Sequence, residues 1–340
     1  MSLNHMNLAE MGWINNRDFK CFVITLALLL LPVLVFSGTS KKKTEVKARM
    51  GYLQGDLHQL AAFVALERGL FKKEGIDIQI GGIFKAGPEE MSAFAAGSLD
   101  IGYVGVAPAT TAVANKIADV RVLAQANKEG SAVVVSKNSN IKSIKDIRTK
   151  TIAIPGHSTV QDFLLKKALI RNGIGLKEVK IIVVKPPEMI WALESGDIDA
   201  FIAWEPHVAK AVTKGIGRIL ITSHDIWENH PCCALVADLK FMEGHPEAIR
   251  KIVKTHVDAT NYIKSHPDEA VKIGVKYTGM DEATVRQAMK NIMFDYQPSV
   301  EGQIEYVDFL NRLGYIKNED PKAFTDMFIN SRVLEEIIQR

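Results

Sequence analysis

The sequence is short of cysteine, of net charge and of catalytic signatures, and each shortage excludes a class of protein. Three cysteines in 340 residues cannot build a disulfide framework. Cys21 lies inside an apolar run, and Cys232 and Cys233 are adjacent, a spacing at which a disulfide is strained. The adjacent pair therefore reads as small buried residues, not as a redox or metal site. The formal net charge is only +3, from 42 basic and 39 acidic residues. A nucleic-acid binder needs a concentrated basic face to displace counterions, so nucleic acid is not an expected partner. There is no HExxH, no paired CxxC, no GxxxxGK phosphate loop, and no strand–GxSxG–helix elbow around Ser158. Catalytic residues, metals and cofactors are accordingly not expected. What remains is 47% hydrophobic and 24% charged, the composition of an ordinary folded chain. At this length it divides more readily into two cores than it grows one.

The chain begins with an export or anchor segment, residues 1–45. Cys21 to Phe36 is sixteen positions without a charge, preceded by Arg17 and Lys20 and followed by Ser37-Gly38-Thr39-Ser40. A basic start, a short apolar stretch and small residues describe a secretory signal, while a free membrane helix usually needs about 20 apolar residues. Cleavage after Ser37 fits this pattern. Lys41-Lys42-Lys43 on the translocated side fits retention as an anchor, so both outcomes stay open. Either places the rest of the chain outside the cytoplasm, in a periplasm or on the outer face of the membrane.

From about residue 46, short strand-like runs alternate with amphipathic helices, and the alternation occurs twice. Phe71-Lys72-Lys73-Glu74-Gly75-Ile76 corresponds to Ile170-Arg171-Asn172-Gly173-Ile174, and Gly97-Ser98-Leu99-Asp100 to Gly196-Asp197-Ile198-Asp199. The glycine-to-glycine intervals, Gly75–Gly97 and Gly173–Gly196, are 22 and 23 residues. The repeat predicts an α/β chain of two lobes, each a mixed, mostly parallel sheet flanked by helices, with a ligand cleft between them. Residues 46–135 with 236–340 form the first expected lobe and 136–235 the second. Helices are expected near 246–265, 267–277, 281–292, 301–313, 320–329 and 331–339, and this tail should return to complete the first lobe.

Four segments carry a family resemblance: ALERGLFKKEGIDIQI (Ala65 to Ile80), AFAAGSLDIGYVGVAPA (Ala93 to Ala109), IAIPGHSTVQDFLLKKAL (Ile152 to Leu169) and ALESGDIDAFIAWEP (Ala192 to Pro206). In this order and spacing they resemble the substrate-binding proteins of nitrate, sulfonate and taurine ABC transporters, over roughly residues 46 to 290. The resemblance implies the type II periplasmic-binding-protein fold, crossovers between lobes near residues 135 and 235, and a binding protein rather than an enzyme. It also implies ABC permease subunits as partners, and a monomer is expected. Binding proteins for thiamine-precursor pyrimidines belong to the same group, but those relatives carry a longer cysteine run than Cys232-Cys233. An enzyme on the same two-lobe fold is the alternative from another class, and the export segment argues against it, since such enzymes work in the cytoplasm.

In open α/β sheets, ligands sit where strands run into helices. Free amides and the dipole at a helix start favour anions there. Pro155-Gly156-His157-Ser158-Thr159 is such a junction, with Ser158 and Thr159 as candidate donors or helix caps. Gly102-Tyr103-Val104-Gly105-Val106-Ala107-Pro108 has the same form, making Tyr103, Gly105 and Val106 candidates. Gln54 and His58 follow the first strand, Lys85 precedes another helix start, and Gln125 ends a strand near the hinge. Trp204 offers an apolar wall with one donor. Glu205 suits the amino end of a zwitterion or repels a bare anion, and Asp56 poses the same question. His230 to Cys233 is a weaker candidate segment.

Overall fold

The computed structural model describes residues 45–318 and 320–339, so the N-terminal apolar run and its signal or anchor role lie outside the described residues. Among them no helix is long and apolar enough to cross a membrane. Eleven strands occur among these residues: β1 (Val46–Leu53), β2 (Ile76–Phe84), β3 (Ile101–Gly105), β4 (Val120–Glu129), β5 (Ser131–Ser136), β6 (Thr151–Ile154), β7 (Lys180–Val183), β8 (Ala200–Trp204), β9 (Gly217–Thr222), β10 (Pro231–Asp238) and β11 (Ile292–Phe294). They form a six-stranded sheet in the order β11-β4-β10-β3-β1-β2 and a five-stranded sheet in the order β7-β6-β8-β5-β9.

Every residue of β3 (IGYVG) and of β8 (AFIAW) is buried. Both are interior strands with helices on both faces, which is why they read as continuous apolar runs and not as alternation. Within each repeat the strands pair in parallel: β1 with β2 and β3, β6 with β7 and β8. The remaining pairings, including both neighbours of β5 and of β10, are antiparallel. The sheets are therefore mixed, with parallel character confined to the strand–helix–strand repeats.

The chain changes sheet at Gly130, the one residue between β4 and β5, and returns between β9 and β10. Both crossings come about five residues ahead of the expected positions near 135 and 235. The apolar run Ala132 to Val135 pairs with β8 and β9, and Pro231 to Leu235 pairs with β3 or β4. Hydrophobicity marks these segments as strands, but only their partners say to which sheet they belong.

The C-terminal helices Pro246–Ser265, Pro267–Thr278, Glu282–Met289, Val300–Arg312, Pro321–Phe328 and Arg332–Ile338 follow the expected segments closely. Three of them start on proline, whose missing N–H costs nothing in the first turn. The tail does return to the first sheet, where β11 pairs with β4. It also reaches the second. Phe163, on helix Val160–Arg171 beside the second sheet, packs its ring at a tilt against Tyr306 and Phe309, with centroid distances of 4.2 Å and 4.6 Å. Such aromatic pairs contribute about 0.5–1.5 kcal/mol each beyond their buried area.

Candidate ligand-binding site

Three helices of eight or more residues start at one place between the sheets. Helix Gly87–Ala95 follows β2, helix Val106–Ala114 follows β3, and helix Val160–Arg171 follows β6. Their first residues, with those just before them, surround a small cavity lined by Leu53, Asp56, His58, Gly87, Gly105, Pro108, Thr159, Val160, Gln161, Trp204 and Cys233. The junctions of the two repeats face each other directly. A Cβ on Gly105 would lie 3.1 Å from Val160 Cγ2, closer than an ordinary contact, so a larger residue there would press the two helix starts apart by a few tenths of an ångström. The cavity holds about 10 Å³, the room of a single water molecule.

Of the expected site residues, the structure brings His58, Gly105, Thr159 and Trp204 to this cavity. Thr159 caps its helix by accepting from the Asp162 amide (3.2 Å) and donates to the Gly156 carbonyl (2.7 Å). Trp204 is 3% exposed, and its Nε1–H has no hydrogen-bond partner among the described residues. A buried donor left unspent costs stability unless something accepts from it.

The other candidates lie elsewhere. Gln54 and Lys85 are exposed. Their strand–helix junctions do reach the cavity, but through Asp56 and Gly87. Tyr103 points away from the cavity: its hydroxyl donates to His256 Nδ1 (3.0 Å), and His256 Nε2 donates to the Gln125 carbonyl (2.7 Å). Gln125 spends its side-chain amide on the carbonyls of Asn127 and Cys233, joining β4 to β10. Val106 is buried in the main core. Ser158, at φ 56°, gives its amide to Asp162 and does not line the cavity. Glu205 is 1% exposed but holds the frame: its carboxylate accepts from the Ala209 amide (2.9 Å) and from Asn291 Nδ2 (2.6 Å). Its carbonyl accepts from Leu57, and its amide donates to Gly130.

Five lining residues were missed as candidates: Leu53 at the end of β1, and Gly87, Pro108, Val160 and Gln161. The last four sit in the first turn of a helix, so the legible signal was the junction itself and not the polar residue nearest to it. Cys233 also lines the cavity. Cys232 and Cys233 are both buried, as expected of small core residues, and the β10 backbone around them is irregular, its pairing with β4 slipping on either side of Cys233. In a regular strand neighbours point to opposite faces; at an irregularity two can share one. Cys232 Sγ lies 3.3 Å and Cys233 Sγ 3.9 Å from His58 Nδ1. His58 Nε2 donates to the Gly130 carbonyl at 2.8 Å, and Asp56 Oδ1 stands 3.8 Å from Nδ1.

These buried groups shift one another. Burial pushes the Asp56 carboxyl up to about 7, against the pull of His58. Burial disfavours charge on His58, but Cys232 and Asp56 outweigh it and raise the imidazole to about 9. Burial would also raise the Cys232 thiol, yet Cys233 and His58 together hold it well below its ordinary value. Cys233 is raised in turn, by its hydrogen bond with Cys232 and by burial. The cavity thus has a polar floor of Asp56, His58 and Cys233 beneath a ring of helix starts.

A protein of Bacillus subtilis (strain 168) named for binding aliphatic sulfonates is 30% identical over 312 residues, covering 88% of this chain and 91% of the relative. The periplasmic nitrate-binding protein NrtA from Synechocystis PCC 6803 superposes with a TM-score of 0.76 at 17% identity, covering 87% of this chain and 89% of its own. The alkanesulfonate-binding protein SsuA from Xanthomonas axonopodis pv. citri, bound to MOPS, superposes with a TM-score of 0.74 at 18% identity, covering 84% and 98%. These likenesses establish the periplasmic-binding-protein fold. The NMT1-like family matches residues 41–275, and the chain belongs to that family.

Proposed function

We propose that the chain is the extracytoplasmic solute-binding protein of an ABC importer, which closes on a small anion such as a sulfonate, taurine or nitrate and presents it to the permease. One observation carries this reading: strand-to-helix junctions from both sheets converge on one cavity, with the unspent Trp204 donor in its wall. Helix starts offer free N–H groups and the positive end of the dipole, so the cavity favours negative charge without an arginine or lysine among its lining residues. Asp56 stands ready for the amino end of a zwitterion such as taurine. The relatives named for sulfonate, taurine and nitrate binding support the same class.

A cavity of about 10 Å³ fits, in this reading, the closed form of such a protein. In this reading the solute enters when the halves separate, and it shifts the population because it binds the closed form better than the open one. Each half is then a lobe built around one sheet, and the two crossings at Gly130 and before Pro231 form the hinge.

The test is a thermal-shift series on the purified chain with taurine, ethanesulfonate, nitrate and a thiamine-precursor pyrimidine. A solute at about 100 times its Kd stabilises the native state by roughly 2.7 kcal/mol. Stabilisation by one of the three anions is expected. Stabilisation by the pyrimidine alone would overturn the anion reading, and no response to any of the four would remove its support.

A further inference from the structure

We propose that His58, Cys232 and Cys233 form a metal site at the floor of the cavity, which takes a thiophilic divalent cation, zinc first. The three donor atoms lie within 4.8 Å of one another. Ideal tetrahedral zinc, with bonds of about 2.3 Å to sulfur and 2.0–2.1 Å to nitrogen, sets its ligand atoms about 3.5–3.8 Å apart. The observed separations of 3.3 and 3.9 Å from Nδ1 to the two sulfurs straddle that range. The slipped register of β10 around Cys233 is what turns both sulfurs toward one nitrogen, and no regular strand would do so.

The imidazole is oriented for the task. Its Nε2–H is committed to the Gly130 carbonyl at 2.8 Å, so Nδ1 is the ring nitrogen turned to the sulfurs, and its lone pair becomes available to a metal once its proton leaves. Metal-binding histidines are held in this manner by an outer hydrogen bond. A Cβ on Gly130 would stand 2.4 Å from Nε2, so a glycine there is what allows the carbonyl and ring to meet. All three residues are at least 97% buried, with exposures of 0%, 0% and 3%. Two thiolates and a divalent cation sum to zero charge, and so the ion neutralises a site where isolated charges are costly. On binding, the Nδ1 proton of His58 and any remaining thiol proton pass to solvent, and two metal–sulfur bonds and one metal–nitrogen bond form.

Ligand softness selects the ion: two thiolates and an imidazole suit zinc and its soft neighbours, not magnesium or calcium. Only three protein atoms converge, and His58 and Cys233 line the cavity, so the fourth position faces its interior. Asp56 is the nearest carboxylate, 3.8 Å from Nδ1. The site does not depend on the anion reading, because the metal alone is its probe.

The experiment uses the full chain, purified in mild detergent under reducing conditions and stripped with a chelator. Cobalt(II) serves as the spectroscopic stand-in for zinc. One equivalent is expected to give the intense visible bands of a tetrahedral site and a near-ultraviolet sulfur-to-metal band, both abolished by one equivalent of zinc. The variants C232S, C233S and H58A are expected to lose these bands. In the unaltered protein, zinc is expected to shield Cys232 and Cys233 from iodoacetamide, read by peptide mass spectrometry with Cys21 as internal reference. This second measurement stands even if a variant misfolds. Absence of a sulfur-to-metal band in protein whose thiols are free, or unchanged alkylation of Cys232 and Cys233 with zinc, would overturn the proposal.

Discussion

His58 hangs from the backbone of Gly130, Nε2 to carbonyl oxygen at 2.8 Å, so that a ring near the start of the chain is anchored at the crossing between the sheets. The same carbonyl accepts from the Glu205 amide, and Glu205 in turn accepts from Leu57. One peptide group therefore ties β1's loop, the crossing and the end of β8 together. Gly130 has φ 85°, a conformation that costs other residues about 1–3 kcal/mol. G130A adds a methyl 2.4 Å from the imidazole as well. A loss of about 2–4 kcal/mol in urea unfolding is expected, from the backbone strain and the clash together. A loss below about 0.5 kcal/mol would show that the crossing tolerates what this geometry forbids.

Thr159 and Ser158 are neighbours with different work. Thr159 caps the helix and faces the cavity, whereas Ser158 contributes its backbone amide to Asp162. T159A should lower stability by about 1 kcal/mol, the usual cost of a lost cap, and weaken solute binding. S158A should leave both nearly unchanged. S158G should be neutral or stabilising, because φ 56° suits glycine. Equal losses from T159A and S158A in matched thermal melts and titrations would contradict this division.

Between helices that flank the two sheets, Lys185 Nζ meets Glu89 Oε1 at 2.6 Å. Lys185 precedes helix Pro186–Ser195 beside the second sheet, and Glu89 lies on helix Gly87–Ala95 beside the first. The pair is partly exposed, so its worth is about 0.2–1 kcal/mol and salt weakens it. K185A should scarcely move Tm yet favour the open form, lowering solute affinity by about two- to fivefold at low salt, as that energy range allows. The difference from the unaltered protein should vanish in 1 M NaCl. An affinity loss that persists at high salt would assign Lys185 another role.

His256 is fully buried between the Tyr103 hydroxyl and the Gln125 carbonyl. Burial lowers its pKa to about 4, although the Gln125 carbonyl pulls the other way. In the unfolded chain the value is about 6.5. Above that pH neither state binds the proton and stability is complete. Between about 6.5 and 4 the unfolded chain binds it and the folded chain does not, so stability falls as pH drops. The loss totals about 3 kcal/mol at the lower end. His207, lowered to about 3 chiefly by burial, adds to the fall in the same direction. Ring-proton NMR should show a His256 resonance that does not titrate above about pH 5, and a midpoint near 6.5 would refute the buried neutral state.

Much of this molecule is legible in its residue order. Pro246, Pro267 and Pro321 open helices where proline belongs, and the paired glycine intervals announce two sheets that share one strand–helix–strand repeat. The junctions at Gly105 and Thr159 are visible as strand ends running into helical periodicity, and both reach the cavity. These features are local, decided by backbone preferences and by neighbours a few positions away.

Tyr103, Gln125, Cys232 and Cys233 were decided otherwise. Tyr103 and Gly105 share one short strand, yet the tyrosine meets His256, 153 positions later, while the glycine meets the helix start at Val160. Alternation says that a strand has two faces, and it does not say which face a partner sheet or helix will cover. The two sulfurs converge on His58 because β10 slips against β4, strands separated by an entire second sheet. Register depends on which residues of distant strands can bury their side chains and pair their amides together, and that is settled only when the chain has closed on itself.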